Sequence, residues 1–181
     1  LPSFVNLPAA PTAVVARHSA AVHTFVAYSV VGSSTLRLAS ITAAGVTFAQ
    51  PASAYTGLTA GQAEDMALGY FDTDAHLDVA VAVDNSIVWL TNTGHATNTV
   101  SFALGGTVAA ATKVADVVAL DVDADGVDDI VASWDTGMSV YHNTNGDGSL
   151  WTASTLTTAY GVTVINMAVV DIDNDGAPDI V

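Results

Sequence analysis

Two stretches of the chain place aspartates where they could share one cation. Asp121–Asp129 and Asp171–Asp179 both spell D-x-D-x-D-G-x-x-D, and both run on into Ile-Val. Aspartates at alternate positions of a tight loop can converge on a point, because the glycine at the sixth position lets the backbone reverse sharply. Carboxylates this close repel one another, so the loop is poor alone and good around a positive ion. Hard oxygen donors suit calcium, whereas magnesium asks for a smaller, stricter octahedron and keeps several waters. The expected ligands are Asp121, Asp123, Asp125 and Asp129 in the first box and Asp171, Asp173, Asp175 and Asp179 in the second. The backbone carbonyl at the seventh position, Val127 or Ala177, is expected to complete each shell.

The EF-hand also opens D-x-D-x-D-G, but it needs a glutamate at position twelve and a helix on either side. The twelfth position of the first box is Ala132, and Glu64 is the one glutamate in the chain. The residues after Asp129, through Trp134, read as a strand. The chain carries 18 acidic residues against 3 basic ones, a formal charge of -15. Asp72, Asp74, Asp78 and Asp128 together with the eight boxed aspartates account for most of that acidity, gathered where a metal would neutralise it.

Stepping outward, the boxes belong to a repeat. With Asp129 laid on Asp78, Ile87–Thr93 falls on Met138–Thr144 without a gap. In that frame Tyr70, Asp72, Asp74 and Asp78 take the four ligand positions and Ala75 replaces the glycine, so Asp72, Asp74 and Asp78 form a weaker candidate site. An earlier copy puts Ala16, His18, Ala20 and Thr24 at the same places, with no acid among them. First ligand positions thus fall at 16, 70, 121 and 171, in steps of 54, 51 and 50.

Each copy reads as short strands divided by turns. In the third copy the expected strands are Val117–Asp121, Ile130–Trp134, Met138–His142 and Leu150–Leu156, with turns at Asp135–Gly137 and Asn143–Gly148. Valine, isoleucine, threonine and aromatic residues fill them, as pleated strands prefer, and no stretch shows helical periodicity. Four short strands repeating about every 50 residues predict an all-β fold, a β-propeller of four-stranded blades. The chain would hold three blades and the start of a fourth. Residues 1–12 read as a Pro-rich lead-in and residues 13–181 as the propeller segment, with units starting near 13, 67, 118 and 168.

The chain resembles the FG-GAP/VCBS repeat family, the calcium-loop propeller blades of integrin α-subunit heads and many secreted proteins. Asp121–Asp129 and Asp171–Asp179 match that family's calcium motif at every ligand position, and Asn143–Gly148 resembles its N-x-G-D-G turn. Departures are Tyr70 and Ala75 in the second unit and the loss of every ligand in the first. The resemblance implies a non-enzymatic, calcium-binding propeller segment for adhesion, extracellular assembly or ligand display. The alternatives it leaves are a lectin-like propeller and the accessory propeller of a polysaccharide-active enzyme.

Composition bounds the remainder. Hydrophobic residues make up 51% of the chain and charged residues 12%, yet no apolar run approaches the roughly 18–20 residues that span a bilayer, so no membrane insertion is expected. There is no cysteine and hence no disulfide framework. No basic-then-apolar leader is read in this stretch, so any signal peptide is expected to be already removed or to lie outside it; the stretch has no N-x-S/T sequon, so N-glycosylation is not expected. Extracellular calcium is abundant enough to keep loops of modest affinity filled, which favours a secreted or cell-surface location. Arg17, Arg37 and Lys113 are too few to build a phosphate-binding face, so nucleic acid is excluded as a partner. A protein or glycan ligand is expected instead. Closed propellers have about 4–8 blades, so further blades from a longer chain or from a second chain are expected to complete the ring.

No catalytic centre is expected. His18, His23, His76, His95 and His142 form no H-E-x-x-H pattern, and no G-x-S-x-G elbow occurs. Asp84, Asp116, Asp135 and Asp147 read as turn or strand-end residues. Trp89, Trp134 and Trp151 could stack on sugars, but Trp89 and Trp134 sit at inequivalent positions of their units, which favours packing between blades.

Overall fold

The computed structural model describes residues 11–19, 23–30, 36–42, 45–48, 63–83, 85–93, 102–109, 113–134, 137–157 and 166–181, the first four segments by their backbone alone. These residues are strands and loops, with no helix among them. Three four-stranded antiparallel sheets follow one another along the chain. The first contains β1 (Pro11–Ser19), β2 (His23–Val30), β3 (Leu36–Thr42) and β4 (Gly45–Phe48). The second contains β5 (Ala63–Gly69), β6 (Asp78–Val83), β7 (Ser86–Asn92) and β8 (Phe102–Ala109). The third contains β9 (Val114–Leu120), β10 (Asp129–Trp134), β11 (Gly137–Asn143) and β12 (Trp151–Thr157). A fourth unit opens as the pair β13 (Val169–Val170) and β14 (Asp179–Ile180).

Within each four-stranded sheet the spatial order is the sequence order, a meander. The four strands expected in the third unit coincide with β9–β12, each beginning within three residues of its expected start. Residues 1–10 of the Pro-rich lead-in and residues 135–136 of the expected turn lie outside the described residues, while Pro11 and Thr12 already belong to β1.

The first strands lie side by side, β1 along β5 and β5 along β9, so the sheets stack face to face. This stacking explains the sequence of the second strands. β6 is buried along its whole length and β10 along all but its last residue. A strand covered on both faces reads as a continuous apolar run instead of an alternating one. In β10, Ile130 and Ala132 enter the core shared with the second sheet, while Val131 enters a smaller one with Leu120, Val140 and Met167. The outermost described strand of the third sheet, β12, is exposed from Thr152 to Leu156.

The larger core is centred on Phe71, whose ring meets Trp89 and Trp151 edge-on at centroid distances of 6.3 and 5.9 Å. Full burial of a phenylalanine contributes roughly 1.5–3 kcal/mol. The Trp89 indole fills a slot walled by Gly105 and Gly106 of β8 and by Gly148 of the third unit; a Cβ at Gly148 would lie 2.2 Å from Trp89 Cζ2. Trp89 is buried and Trp151 donates its Nε1–H to the Gly148 carbonyl at 2.9 Å, so both serve packing.

Polar latches join consecutive units. The Val117 amide donates to Asp65 Oδ2 at 2.9 Å, and the Met167 amide donates to Asp116 Oδ2 in the equivalent place one unit later. The Asn143 side chain donates to the Phe71 carbonyl at 2.8 Å. Asp116 therefore departs from its expected turn or strand-end role: it is buried within β9, hydrogen-bonded to the Asp65 carboxyl. Asp84 and Asp135 lie outside the described residues.

Candidate metal centre

The acidic boxes are the loops that join the first and second strands of a unit. Residues 70–77 connect β5 to β6, 121–128 connect β9 to β10, and 171–178 connect β13 to β14. The ninth position is in each case the first residue of the second strand: Asp78, Asp129 or Asp179. Because β9 and β10 pair from Leu120 and Asp129 outward, the loop's two ends are fixed by the sheet.

The third- and fourth-unit loops share one backbone course. The fourth position is left-handed in both, with φ 61° at Ala124 and at Asn174, and the sixth is left-handed at Gly126 (φ 95°) and Gly176 (φ 92°). A Cβ on either glycine would meet nothing within 4 Å. The torsion, not lack of space, therefore requires glycine there, as the sequence pattern implied. An alanine at φ 61° costs roughly 1–2 kcal/mol, which the loop's own hydrogen bonds must offset.

Those bonds repeat from loop to loop. Carboxylates at the ninth position accept the amide at the second: Phe71 to Asp78 at 3.0 Å, Val122 to Asp129 at 3.2 Å, Ile172 to Asp179 at 2.9 Å. At the fifth position they accept the amide at the seventh: His76 to Asp74, Val127 to Asp125, Ala177 to Asp175, each at 2.8–2.9 Å. Asp121 and Asp171 each receive the amides at the fifth and sixth positions, over 2.9–3.1 Å. The second unit has Tyr70 in that place, and its amide is taken by Asp128 of the next loop at 2.8 Å.

Position nine also reaches the third strand. Asp78 Oδ1 accepts the Asn92 amide and Asp129 Oδ1 the Asn143 amide, both at 2.8 Å. Asp78 and Asp129 are buried as a result. Burial pushes the Asp78 carboxyl up to about 7 and raises Asp129 as well, against the lowering effect of the backbone amides that each accepts. An anion kept in so costly a place would be stabilised by a cation.

Side-chain oxygens gather in three aspartate clusters, with Asp129 grouped with Asp123 and His142 and not with Asp121 and Asp125. Among the described residues, Asp121, Asp123 and Asp125 bring ligand atoms within 4.8 Å of one another, as do Asp171, Asp173 and Asp179, and Asp72, Asp74 and Asp78. These clusters can hold a metal ion, and their all-oxygen donors fit a hard divalent cation. Asp175 stands outside the fourth-unit cluster, and its carboxylate is engaged by the Ala177 amide. Val127 and Ala177 contribute amide bonds that shape the loops.

A further group was not anticipated. His142, next to Asn143 on β11, brings Nδ1 to 3.4 Å from Asp129 Oδ2 and 3.7 Å from Asp123 Oδ2. That Nδ1 is buried without a hydrogen-bond partner. The equivalent residue of the second unit, Thr91, donates its hydroxyl to Asp72 Oδ2 at 2.8 Å. The signal was present in the gapless alignment of the third strands, which pairs Thr91 with His142, but only the sheet register shows that this position faces the loop. His76 pairs with Asp74 at 3.2 Å; the side chains of His18 and His23, and all of His95, lie outside the described residues.

Comparison with known proteins agrees with the repeat. The model of the FG-GAP-like repeat matches residues 70–132 and 121–181. Each window starts at the first position of one loop and ends just past the ninth position of the next. Comparison with curated proteins gave no match. With loops, strands and period all in that pattern, the chain belongs to the FG-GAP-like repeat family.

Proposed function

We propose that this chain is a calcium-stabilised segment of a β-propeller, without catalytic activity, that presents a binding surface outside the cell. The observation that carries the reading is the shared loop of the third and fourth units, with the same left-handed positions and the same carboxylate–amide bonds. FG-GAP-like repeats suggest a propeller-type domain and often bind calcium. The stacking of meander sheets through their first strands is the arrangement that blades adopt around an axis.

Asp121, Asp123, Asp125 and Asp129 would hold one ion and Asp171, Asp173, Asp175 and Asp179 another, with the carbonyls of Val127 and Ala177 completing the shells. Bound calcium would neutralise crowded carboxylates and tie the first strand of a blade to the second. Asp72, Asp74 and Asp78 would make a weaker site, since Tyr70 supplies no carboxylate. At free calcium a hundredfold above the dissociation constant, each site adds about 2.7 kcal/mol of stability.

Loops of this kind are filled where calcium is millimolar, which supports a secreted or cell-surface setting. Among the described residues no helix is long and apolar enough to cross a membrane. The partner would be a protein or a glycan, in adhesion, assembly or ligand display; Trp89 is buried and offers no face for a sugar. Thermal unfolding in millimolar calcium and again in excess chelator tests the reading. A clear rise in melting temperature with calcium is expected, and a cooperative melt indifferent to calcium would overturn it.

A further inference from the structure

The second- and third-unit loops differ in what faces them from the third strand. Thr91 faces the second-unit loop with a hydroxyl already bonded to Asp72. His142 faces the third-unit loop with an imidazole nitrogen that is buried and bonded to nothing, although two carboxylates stand near it.

The distances decide what this arrangement suits. A charge-assisted N–H···O bond brings its heavy atoms to about 2.7–2.9 Å, and 3.4 and 3.7 Å are too long for that. Around a tetrahedral zinc ion with bonds of about 2.0–2.1 Å, neighbouring donors stand roughly 3.3–3.4 Å apart. Asp123, Asp129 and His142 have ligand atoms that all lie within 4.8 Å of one another. The two distances from His142 Nδ1 are close to those between neighbouring donors of a coordination shell. Asp129 is held in place by the Val122 and Asn143 amides, so its Oδ2 is a fixed point for the site.

We propose that Asp123, Asp129 and His142 form a mixed nitrogen–oxygen site in the third unit that takes a borderline divalent cation of the zinc class. This deepens the metal-binding reading of the loop and rests on it only in placing a cation there. Imidazole nitrogen suits zinc, cobalt, nickel and copper, whereas calcium takes oxygen donors. Asp123 and Asp129 belong to both donor sets, so the two kinds of ion compete for the third-unit loop; among the described residues the fourth-unit cluster holds aspartates alone.

The test is calorimetric titration of the full chain with zinc chloride alone and with calcium chloride alone, for the wild type, His142→Gln and His76→Gln. Loss of a direct ligand should cost at least the roughly 10–100-fold in affinity that outer partners of a metal site cost. Zinc affinity is therefore expected to fall tenfold or more in H142Q, with H76Q like the wild type and calcium binding kept in both. Thr91→His should add a second zinc equivalent at Asp72, Asp74 and Asp78.

No zinc binding by the wild type, or equal zinc binding by the wild type and H142Q, would overturn the proposal and leave the calcium reading intact. Loss of zinc in H76Q alone would overturn it by moving the ion to the second-unit loop. Zinc binding through His142 with no calcium binding anywhere would uphold the mixed site and refute the calcium reading. Should H142Q fail to fold, the imidazole ¹⁵N resonances of the wild type are followed instead. A zinc-induced shift of the His142 Nδ1 resonance supports the site, and its absence at saturating zinc overturns it.

Discussion

Asp128 and Tyr70 bind each other twice across the boundary between the second and third units. The Tyr70 amide donates to Asp128 Oδ2 at 2.8 Å, and the Asp128 amide donates to the Tyr70 carbonyl at 2.9 Å. Asp128→Ala takes the carboxylate away from the Tyr70 amide and should cost about 1–3 kcal/mol. Asp128→Asn keeps an acceptor and should lose less. Urea unfolding of the two variants checks this, and an alanine variant as stable as the wild type would show that the latch carries no energy.

Ligand positions three and nine should respond differently to metal. Asp123 and Asp173 are exposed, and Asp123→Ala or Asp173→Ala should lower only the part of stability that calcium adds. Asp129 joins the Val122 and Asn143 amides, so Asp129→Ala should also cost about 1–3 kcal/mol in chelator. Asp147 is exposed and its carboxylate is bonded locally, to the Ser149 amide and hydroxyl, so Asp147→Ala should change neither quantity. Melts of the four variants with and without calcium separate these outcomes. Equal calcium-dependent losses at Asp123, Asp173 and Asp147 would contradict the ligand assignment.

The Asp65–Asp116 pair makes stability depend on pH. Burial, followed by the hydrogen bond and repulsion from Asp65, pushes the Asp116 carboxyl up to about 8 from an ordinary 3.8. Between those values the folded chain holds a proton that the unfolded chain has released. The pair's contribution is therefore full below pH 4 and is lost as pH rises toward 8. In metal-free buffer the wild type should lose stability between pH 5 and pH 8 relative to Asp116→Asn, whose amide cannot ionise. Parallel pH profiles of the two proteins would mean that the pair does not hold a proton.

The glycine slot around Trp89 should not accept a methyl group. Gly148 combines φ 71° with a Cβ position 2.2 Å from the indole, so Gly148→Ala meets both torsional strain and overlap. Overpacking alone costs about 1–3 kcal/mol. At Gly106 the nearest indole atom is 2.9 Å away and no unusual torsion adds to it, so Gly106→Ala should cost less. Chemical unfolding followed by tryptophan fluorescence measures both, and an unchanged midpoint for Gly148→Ala would mean the slot is looser than its geometry.

The sheets were legible because strand chemistry and a period near 50 residues gave the same divisions. The loops were legible because five positions of fixed type, Gly126 and Gly176 among them, leave few backbones to choose from. Asp116 was misread because a lone acid before an apolar run looks like a turn, and its partner Asp65 lies a full unit away in sequence. His142 was passed over for a similar reason. Its neighbours Asp123 and Asp129 are brought to it by strand pairing across β10 and β11, which no local motif encodes.

Among the described residues, several of the bonds that join consecutive units have a backbone group on one end, alongside the Asp65–Asp116 carboxyl pair and the Lys113–Glu64 ion pair at 3.1 Å. Asp65 and Asp116 accept amides, the Asn143 side chain donates to a carbonyl, and Asp128 meets the main chain of Tyr70. At those backbone joints a unit recognises that its neighbour has a main chain in the right place, whatever side chain is carried there. Proline is the exception, and Pro178 occupies the place of Asp128 in the fourth unit, where no amide hydrogen is available. Such joints depend little on the residue type at their backbone end, so copies whose loops differ in acids, in glycine and in the facing third-strand residue still fit one another in the same order.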